Sequence, residues 1–255
     1  MFNIDMFNIF ISGAFVFILG LFIGSFLNCF VYRLHEKEPF VTGRSFCPKC
    51  RHNLSWMDLV PVFSFLFLGG KCRYCQKKIS IQYPLAELLT ALIFFLVFQF
   101  YSINLFWLVI TGLLIIIFLY DLNYFLIPDS VLGIAIVLTL FYLIISPISI
   151  MGYLWAALGA SGFFLAIYLI SRGRWIGFGD VKLAILMGLL VGFPNILIAL
   201  FSAFLLGAIV GLGLISLKKK TLKSEVPFGP FLIIGIYVAL FFGDTIINWY
   251  LGFLL

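Results

Sequence analysis

The chain has 255 residues, of which 64% are hydrophobic and 10% charged, with a formal net charge of +6. Soluble domains run at roughly 45–50% apolar and 25% charged residues. With a mean hydropathy of +1.21, this composition excludes a soluble enzyme and indicates a polytopic membrane protein.

A helix needs about 20 apolar residues to cross a hydrocarbon core roughly 30 Å thick. The run 6–32 fits one crossing. Residues 83–120 fit two if Glu87, their single acid, lies near the start of the first, with a turn at Ser102-Ile103-Asn104. Residues 130–171 fit two with a turn at Ser146-Pro147, and 183–217 fit two shorter ones turning at Gly192-Phe193-Pro194-Asn195. Residues 226–255 fit one, with Asp244 late in it. The sequence therefore predicts an all-α polytopic membrane protein of about eight transmembrane helices, with a cytoplasmic zinc-ribbon-like loop between the first two.

Lysine and arginine set the orientation. Nine of the 16 lie between Arg33 and Lys78. Three more are Arg172, Arg174 and Lys182, and the last four are Lys218, Lys219, Lys220 and Lys223. Eight crossings put all of them on one side, which the positive-inside rule makes the cytoplasm, with both termini outside. The basic excess thus faces one side of a membrane, and no nucleic-acid partner is expected. The N-terminus has no basic region ahead of its apolar run, so the first span is not expected to be a cleaved signal.

The one sizeable polar stretch, 32–82, contains Cys47-Pro48-Lys49-Cys50 and Cys72-Arg73-Tyr74-Cys75. Two such C-x2-C knuckles supply four thiolates for tetrahedral zinc. Their separation of 21 residues is one longer than the usual range, which a loop tolerates. The competing reading is two disulfides, which a reducing cytoplasmic face disfavours. Four thiolates leave no open position, so the metal is expected to be structural, folding a loop too small for its own core. The fifth cysteine, Cys29, falls within the first span and reads as a small buried side chain.

Chemistry-bearing residues in the apolar part are few. The stretch Gly177-Phe178-Gly179-Asp180 places a carboxylate where a span begins, and carboxylates deep in a membrane helix cost about 2.5–3.5 kcal/mol on lenient scales. Asp180 also reads as a simple N-cap for a helix starting at Val181. Asp121 lies at the cytoplasmic end of the third span, two crossings earlier, so both carboxylates come to one depth. Asp129, after Pro128, is a weaker competitor that reads as a cap or turn residue. Other proteolytic chemistries lack their parts. The histidines are His35 and His52 alone, both in the polar loop, so no H-E-x-x-H metal site exists. Gly159-Ala160-Ser161-Gly162 imitates a serine-protease motif without a base in any span, and reads as small-residue helix packing. Paired aspartates remain, one ionised and one protonated.

The order of motifs along the chain resembles the type IV prepilin peptidases, the bifunctional leader peptidases and N-methyltransferases of pilus and type II secretion systems. Those motifs are Gly24-Ser25-Phe26-Leu27-Asn28 with Tyr32-Arg33-Leu34, the paired C-x2-C knuckles, Tyr83-Pro84-Leu85-Ala86-Glu87, the D-x5-I-P-D stretch from Asp121 to Asp129, G-F-G-D, and Pro227-Phe228-Gly229-Pro230. The resemblance implies a GxGD-type membrane aspartyl protease with Asp121 and Asp180 as the catalytic pair and Gly177 and Gly179 in the active-site loop. It implies prepilin or pseudopilin substrates, the bacterial cytoplasmic membrane as location, and S-adenosylmethionine as methyl donor for the new N-terminus. It also implies three parts: residues 1–31 as a first span, 32–82 as the four-cysteine loop associated with methyl transfer, and 83–255 as a seven-helix peptidase domain. No G-x-G-x-x-G unit marks a cofactor site, and the cofactor-binding residues stay unknown. Asn28, Arg33 and Glu87 lie suitably, but helix packing, charge anchoring and a buried hydrogen bond account for them more simply.

Two readings from other classes remain beside this one. A proton-coupled transporter would use membrane carboxylates as relays, but would favour acids near mid-membrane in repeated halves. A non-catalytic assembly factor docking through a zinc loop would leave two aspartates at one depth without a role.

Overall fold

The computed structural model describes residues 2–39, 43–102, 104–217 and 226–254. The α-helices among them, in chain order, are α1 (Phe2–Glu36), α2 (Phe63–Phe67), α3 (Gln82–Tyr101), α4 (Leu105–Tyr124), α5 (Asp129–Ile145), α6 (Ile150–Ser171), α7 (Phe178–Val191), α8 (Asn195–Ser216) and α9 (Gly229–Leu254). A 3-10 turn, Trp56–Leu59, precedes α2. The only β pairing among the described residues is two isolated bridges, both in the loop between α1 and α3. The fold is an all-helical membrane protein, and every helix but the short α2 begins and ends close to where an apolar run does. Lys218, Lys219, Lys220 and Lys223 lie outside the described residues, as does Ile103 of the turn at Ser102-Ile103-Asn104.

Among the described residues, six helices are long and apolar enough to span a bilayer: α1, α3, α4, α6, α8 and α9. Helices α5 and α7, also expected as spans, fall below that length, as the turns read at Ser146-Pro147 and Gly192-Phe193-Pro194-Asn195 imply. Helix α5 has 17 residues. Helix α7 has 14, about 21 Å of helix against a core of roughly 30 Å. A short apolar helix is stable in a membrane when protein rather than lipid surrounds it. Ten of the 14 residues of α7 are buried, and the helix packs against α5, α6, α8 and α9.

Two compact units divide the chain between Leu119 and Tyr120. In the first, α1 and α3 pair closely. A Cβ on Gly20 would meet the Ala91 backbone at 2.6 Å, so a glycine is what allows the two helices to touch. In the second, α7 is the central element. Its Gly188 sits against the Ala156–Ala157 backbone of α6, with no room for a side chain. Of the stretch Gly159-Ala160-Ser161-Gly162, read as small-residue packing, Ala160 is buried, and it is joined a turn earlier by Ala156 and Ala157. Gly159 and Gly162 face open space.

Candidate active site and metal centre

The connection leading into α7 is built to deliver Asp180. Helix α6 stops at Arg172, whose φ of 52° is left-handed, and Gly173 N–H closes the helix end by donating to the Tyr168 carbonyl at 2.9 Å. The chain then bends through residues 174–176, is extended at Gly177 and becomes helical at Phe178. Asp180 is therefore not the N-cap; that position belongs to Gly177. Asp180 stands in the first turn, and its Oδ2 accepts the Gly177 N–H at 3.1 Å. The Asp180 N–H returns a bond to the Gly177 carbonyl, also at 3.1 Å. A carboxylate in the first helical turn satisfies a backbone donor that the helix leaves open and meets the positive end of its dipole.

Asp121 lies one turn before the end of α4 and is 5% exposed. Its Oδ2 accepts the Gly229 N–H at 3.0 Å, a bond spanning 108 residues. Gly229 opens α9, so Asp121 also faces the N-terminus of a helix. A Cβ on Gly229 would stand 2.6 Å from that same oxygen. Glycine is the residue that permits this approach, and Pro230 in the first turn costs α9 no internal hydrogen bond. Asp180 is likewise buried at 8%. The two carboxylates are close enough for their charges to interact. Each offers Oδ2 to one backbone N–H, leaving Oδ1 outside those bonds.

The loop between them joins the two halves of this arrangement. Phe125 N–H closes the end of α4 on the Asp121 carbonyl at 2.9 Å, with φ of 57° at Phe125. Ile127 then lies over Gly179, where an added Cβ would approach its side chain to 3.2 Å. Gly179 is therefore accounted for by contact with Ile127. Gly177 is exposed, and an added Cβ there would be in ordinary van der Waals contact with Asp180 Oδ2 at 3.5 Å. Asp129 opens α5 and holds Lys182 by both oxygens, at 2.7 and 2.8 Å. It is a first-turn residue, with Pro128 as N-cap, in an exposed ion pair.

The four cysteines converge within the first unit: the Sγ atoms of Cys47, Cys50, Cys72 and Cys75 all lie within 4.8 Å of one another. Tetrahedral zinc with Zn–S of about 2.3 Å requires S···S of about 3.8 Å, so the donor set fits a metal ion. The two knuckles repeat one geometry. Cys47 N–H donates to the His52 carbonyl and Arg51 N–H returns to Cys47; Cys72 N–H donates to the Lys77 carbonyl and Gln76 N–H returns to Cys72. Arg51 and Gln76 are both left-handed, at φ 58° and 57°. Burial opposes ionisation of the Cys47 thiol, but hydrogen bonds from the Cys50 and Lys49 backbone and from the Cys50 and Cys72 thiols bring it down to about 7. None of the four cysteines is in a disulfide.

Two supports of this loop escaped the sequence reading. Arg33, expected to act as a charge anchor at the end of its span, is buried and donates to the carbonyls of Pro39, Gly43 and Arg44. Asp58 accepts from Ser55, Arg73 and Tyr74, binding the middle of the loop to the second knuckle. Asn28 donates to the Tyr83 carbonyl at 3.1 Å, and Glu87 accepts the Val62 N–H at 2.7 Å. Cys29 is half-buried rather than buried. It lines a cavity of about 470 Å³ in the first unit with Asn28, Tyr32, Arg33 and Glu87.

A polytopic all-helical protein with a four-cysteine loop and a pair of buried aspartates at helix N-termini belongs to a narrow class of membrane proteins. Residues 18–101 match the bacterial peptidase A24 N-terminal domain, and residues 108–212 match the type IV leader peptidase family. The chain belongs to this family. It is 32% identical to a prepilin leader peptidase/N-methyltransferase of Aeromonas salmonicida over 94% of each chain. The protein of the same name from Bacillus subtilis is 34% identical over 92% of this chain and 96% of its own. That of Pseudomonas aeruginosa is 31% identical over 92% of each. No solved structure matches.

Proposed function

We propose that this protein removes the leader peptide from type IV prepilins or pseudopilins and methylates the amine so exposed. The observation that carries the reading is the pair of buried aspartates, each held through one oxygen by the backbone at a helix start. Two interacting carboxylates in such a place share one proton. The ionised member takes a proton from water as that water attacks the scissile carbonyl. The protonated member donates a hydrogen bond to the carbonyl oxygen as charge develops on it. A prepilin presents its cut site at the end of an apolar helix, and cleavage needs that backbone extended. Extended backbone at membrane depth is tolerated only where protein or water satisfies it. The exposed backbone at Gly177 is where such a segment would lie, beside Asp180.

The four-thiol cluster is assigned to structural zinc, held by Cys47, Cys50, Cys72 and Cys75, with no open coordination position and no part in peptide cleavage. S-adenosylmethionine, when bound, supplies the methyl group. The cavity in the first unit, about 470 Å³, is within the usual size range for small-molecule sites and is the proposed place for it. Asn28, Arg33 and Glu87 already have partners there, so their role is to hold the cavity's shape. The protein is assigned to the bacterial cytoplasmic membrane with both termini outside, so that the knuckle loop and both aspartates face the cytoplasm.

The test is the purified protein in lipid nanodiscs, given a synthetic prepilin peptide with and without S-adenosylmethionine. Leader loss without the methyl donor, and gain of one methyl group only with it, are the expected masses. A transporter or an assembly factor would leave the peptide intact.

A further inference from the structure

We propose that the 3-10 turn Trp56–Leu59 and α2 form an interfacial anchor that seats the cysteine-knuckle loop on the lipid headgroup layer. The segment lies between two spans in an otherwise polar loop, yet it presents a run of large apolar side chains to the surface. Trp56 is 76% exposed and Phe67 87%, and Met57, Leu59, Phe63 and Leu66 are exposed with them. Left in water, a patch of large apolar side chains at this density is an aggregation hazard; it marks a contact with protein or membrane.

Three observations select the membrane. The first is depth. The Val62 N–H, between the 3-10 turn and α2, donates to Glu87 Oε2 at 2.7 Å. Glu87 is the sixth residue of α3, about 7.5 Å along the helix from its first residue. Interfacial elements bury their apolar face about 5–10 Å into the headgroup and acyl boundary, so the bond holds the segment at that level. The second is continuity. The first turns of α3 expose Leu85, Leu88 and Leu89, which are lipid-facing in a span, so the segment is pinned beside an apolar surface already in contact with lipid. The third is charge. The knuckles that flank the segment expose Lys49, Arg51, Lys71, Lys77 and Lys78, cations suited to anionic headgroups. Tryptophan is itself a residue of the membrane interface, with an apolar body and a polar N–H.

An anchor of this kind gives the loop a fixed height over the bilayer, which a small metal-folded unit on two helix ends otherwise lacks. The inference rests on α1 and α3 spanning the membrane and not on the proposed peptidase chemistry, so either can fail alone.

The experiment is fluorescence of the full chain in phosphatidylcholine–phosphatidylglycerol vesicles, taking the Trp56 signal as the difference between the native protein and Trp56→Phe. Trp56 should lose more than half its intensity with lipids brominated near the headgroup end of the acyl chain, and should be insensitive to aqueous iodide. Trp56 quenched by iodide and not by bromine overturns the proposal. Insensitivity to both quenchers, which means a protein cover, overturns it too, as does shielding from iodide that appears only when a prepilin peptide is added. Phe67→Trp in the Trp56→Phe background reads the same surface from α2, at a position whose exposure makes the substitution benign, and should give the same two results.

Discussion

Asp121 is fixed from across the chain by a residue that carries no side chain. Gly229 brings its N–H to 3.0 Å from Asp121 Oδ2, and any Cβ there would stand 2.6 Å from the same atom. Gly229→Ala should therefore leave the protein inserted while moving the carboxylate. Misplacement of a reacting group by about 1 Å costs on the order of 100-fold in rate, which initial cleavage rates on a prepilin peptide would show directly. Asp129 is a different case, because its pairing with Lys182 is exposed, at 69% and 34% side-chain accessibility. Such pairs contribute about 0–1 kcal/mol, so Asp129→Asn should retain most of the activity in the same assay and melt within a few degrees of the native protein. The two glycines before Asp180 should also separate. Gly179→Val collides with Ile127 and should disturb the loop itself. Gly177→Val meets nothing closer than Asp180 Oδ2 at 3.5 Å, so it should raise KM for the peptide while costing stability only through the poorer N-cap, about 1 kcal/mol.

At the scale of elements, the cysteine loop has two matched knuckles and little regular backbone pairing. Its regular backbone pairing, among the described residues, is two isolated bridges, Phe46 with Asn53 and Lys71 with Lys78. Structural zinc in such units carries an apparent binding energy on the order of 10–16 kcal/mol. Purified protein should accordingly contain one zinc per chain by elemental analysis, and Cys47→Ser with Cys72→Ser should remove it and expose the loop to protease. Stoichiometric absence of metal from freshly prepared, reduced protein would refute the assignment. Helix α7 is a second element whose form follows from its surroundings. Its 14 residues suffice because helices of the same unit cover it, and its N-terminus can then present Asp180 without exposing backbone to lipid.

Across the molecule, the positions of the long helices were legible because apolar runs report lipid or core contact residue by residue. The turn at Ser146-Pro147, for example, falls between α5 and α6 as the composition implies. The knuckles were legible for a similar reason, since ligand spacing within a C-x2-C pair is local. What the sequence did not disclose depends on contacts between distant segments. Nothing near Gly229 says that its N–H meets Asp121, although a glycine flanked by proline at a helix start hints at a required close approach. That protein rather than lipid covers α7 was likewise hidden, because an apolar run looks the same in either setting. Arg33 reads as a surface charge until the carbonyls that it binds come into place. The central claim is that Asp121 and Asp180 together cut the prepilin. Its most direct measurement is the intact mass of a prepilin co-expressed with the native protein, with Asp121→Asn and with Asp180→Asn, at matched membrane levels. The account predicts complete leader loss with the native protein and none with either variant; a prepilin processed at near-native rate by Asp180→Asn would contradict it.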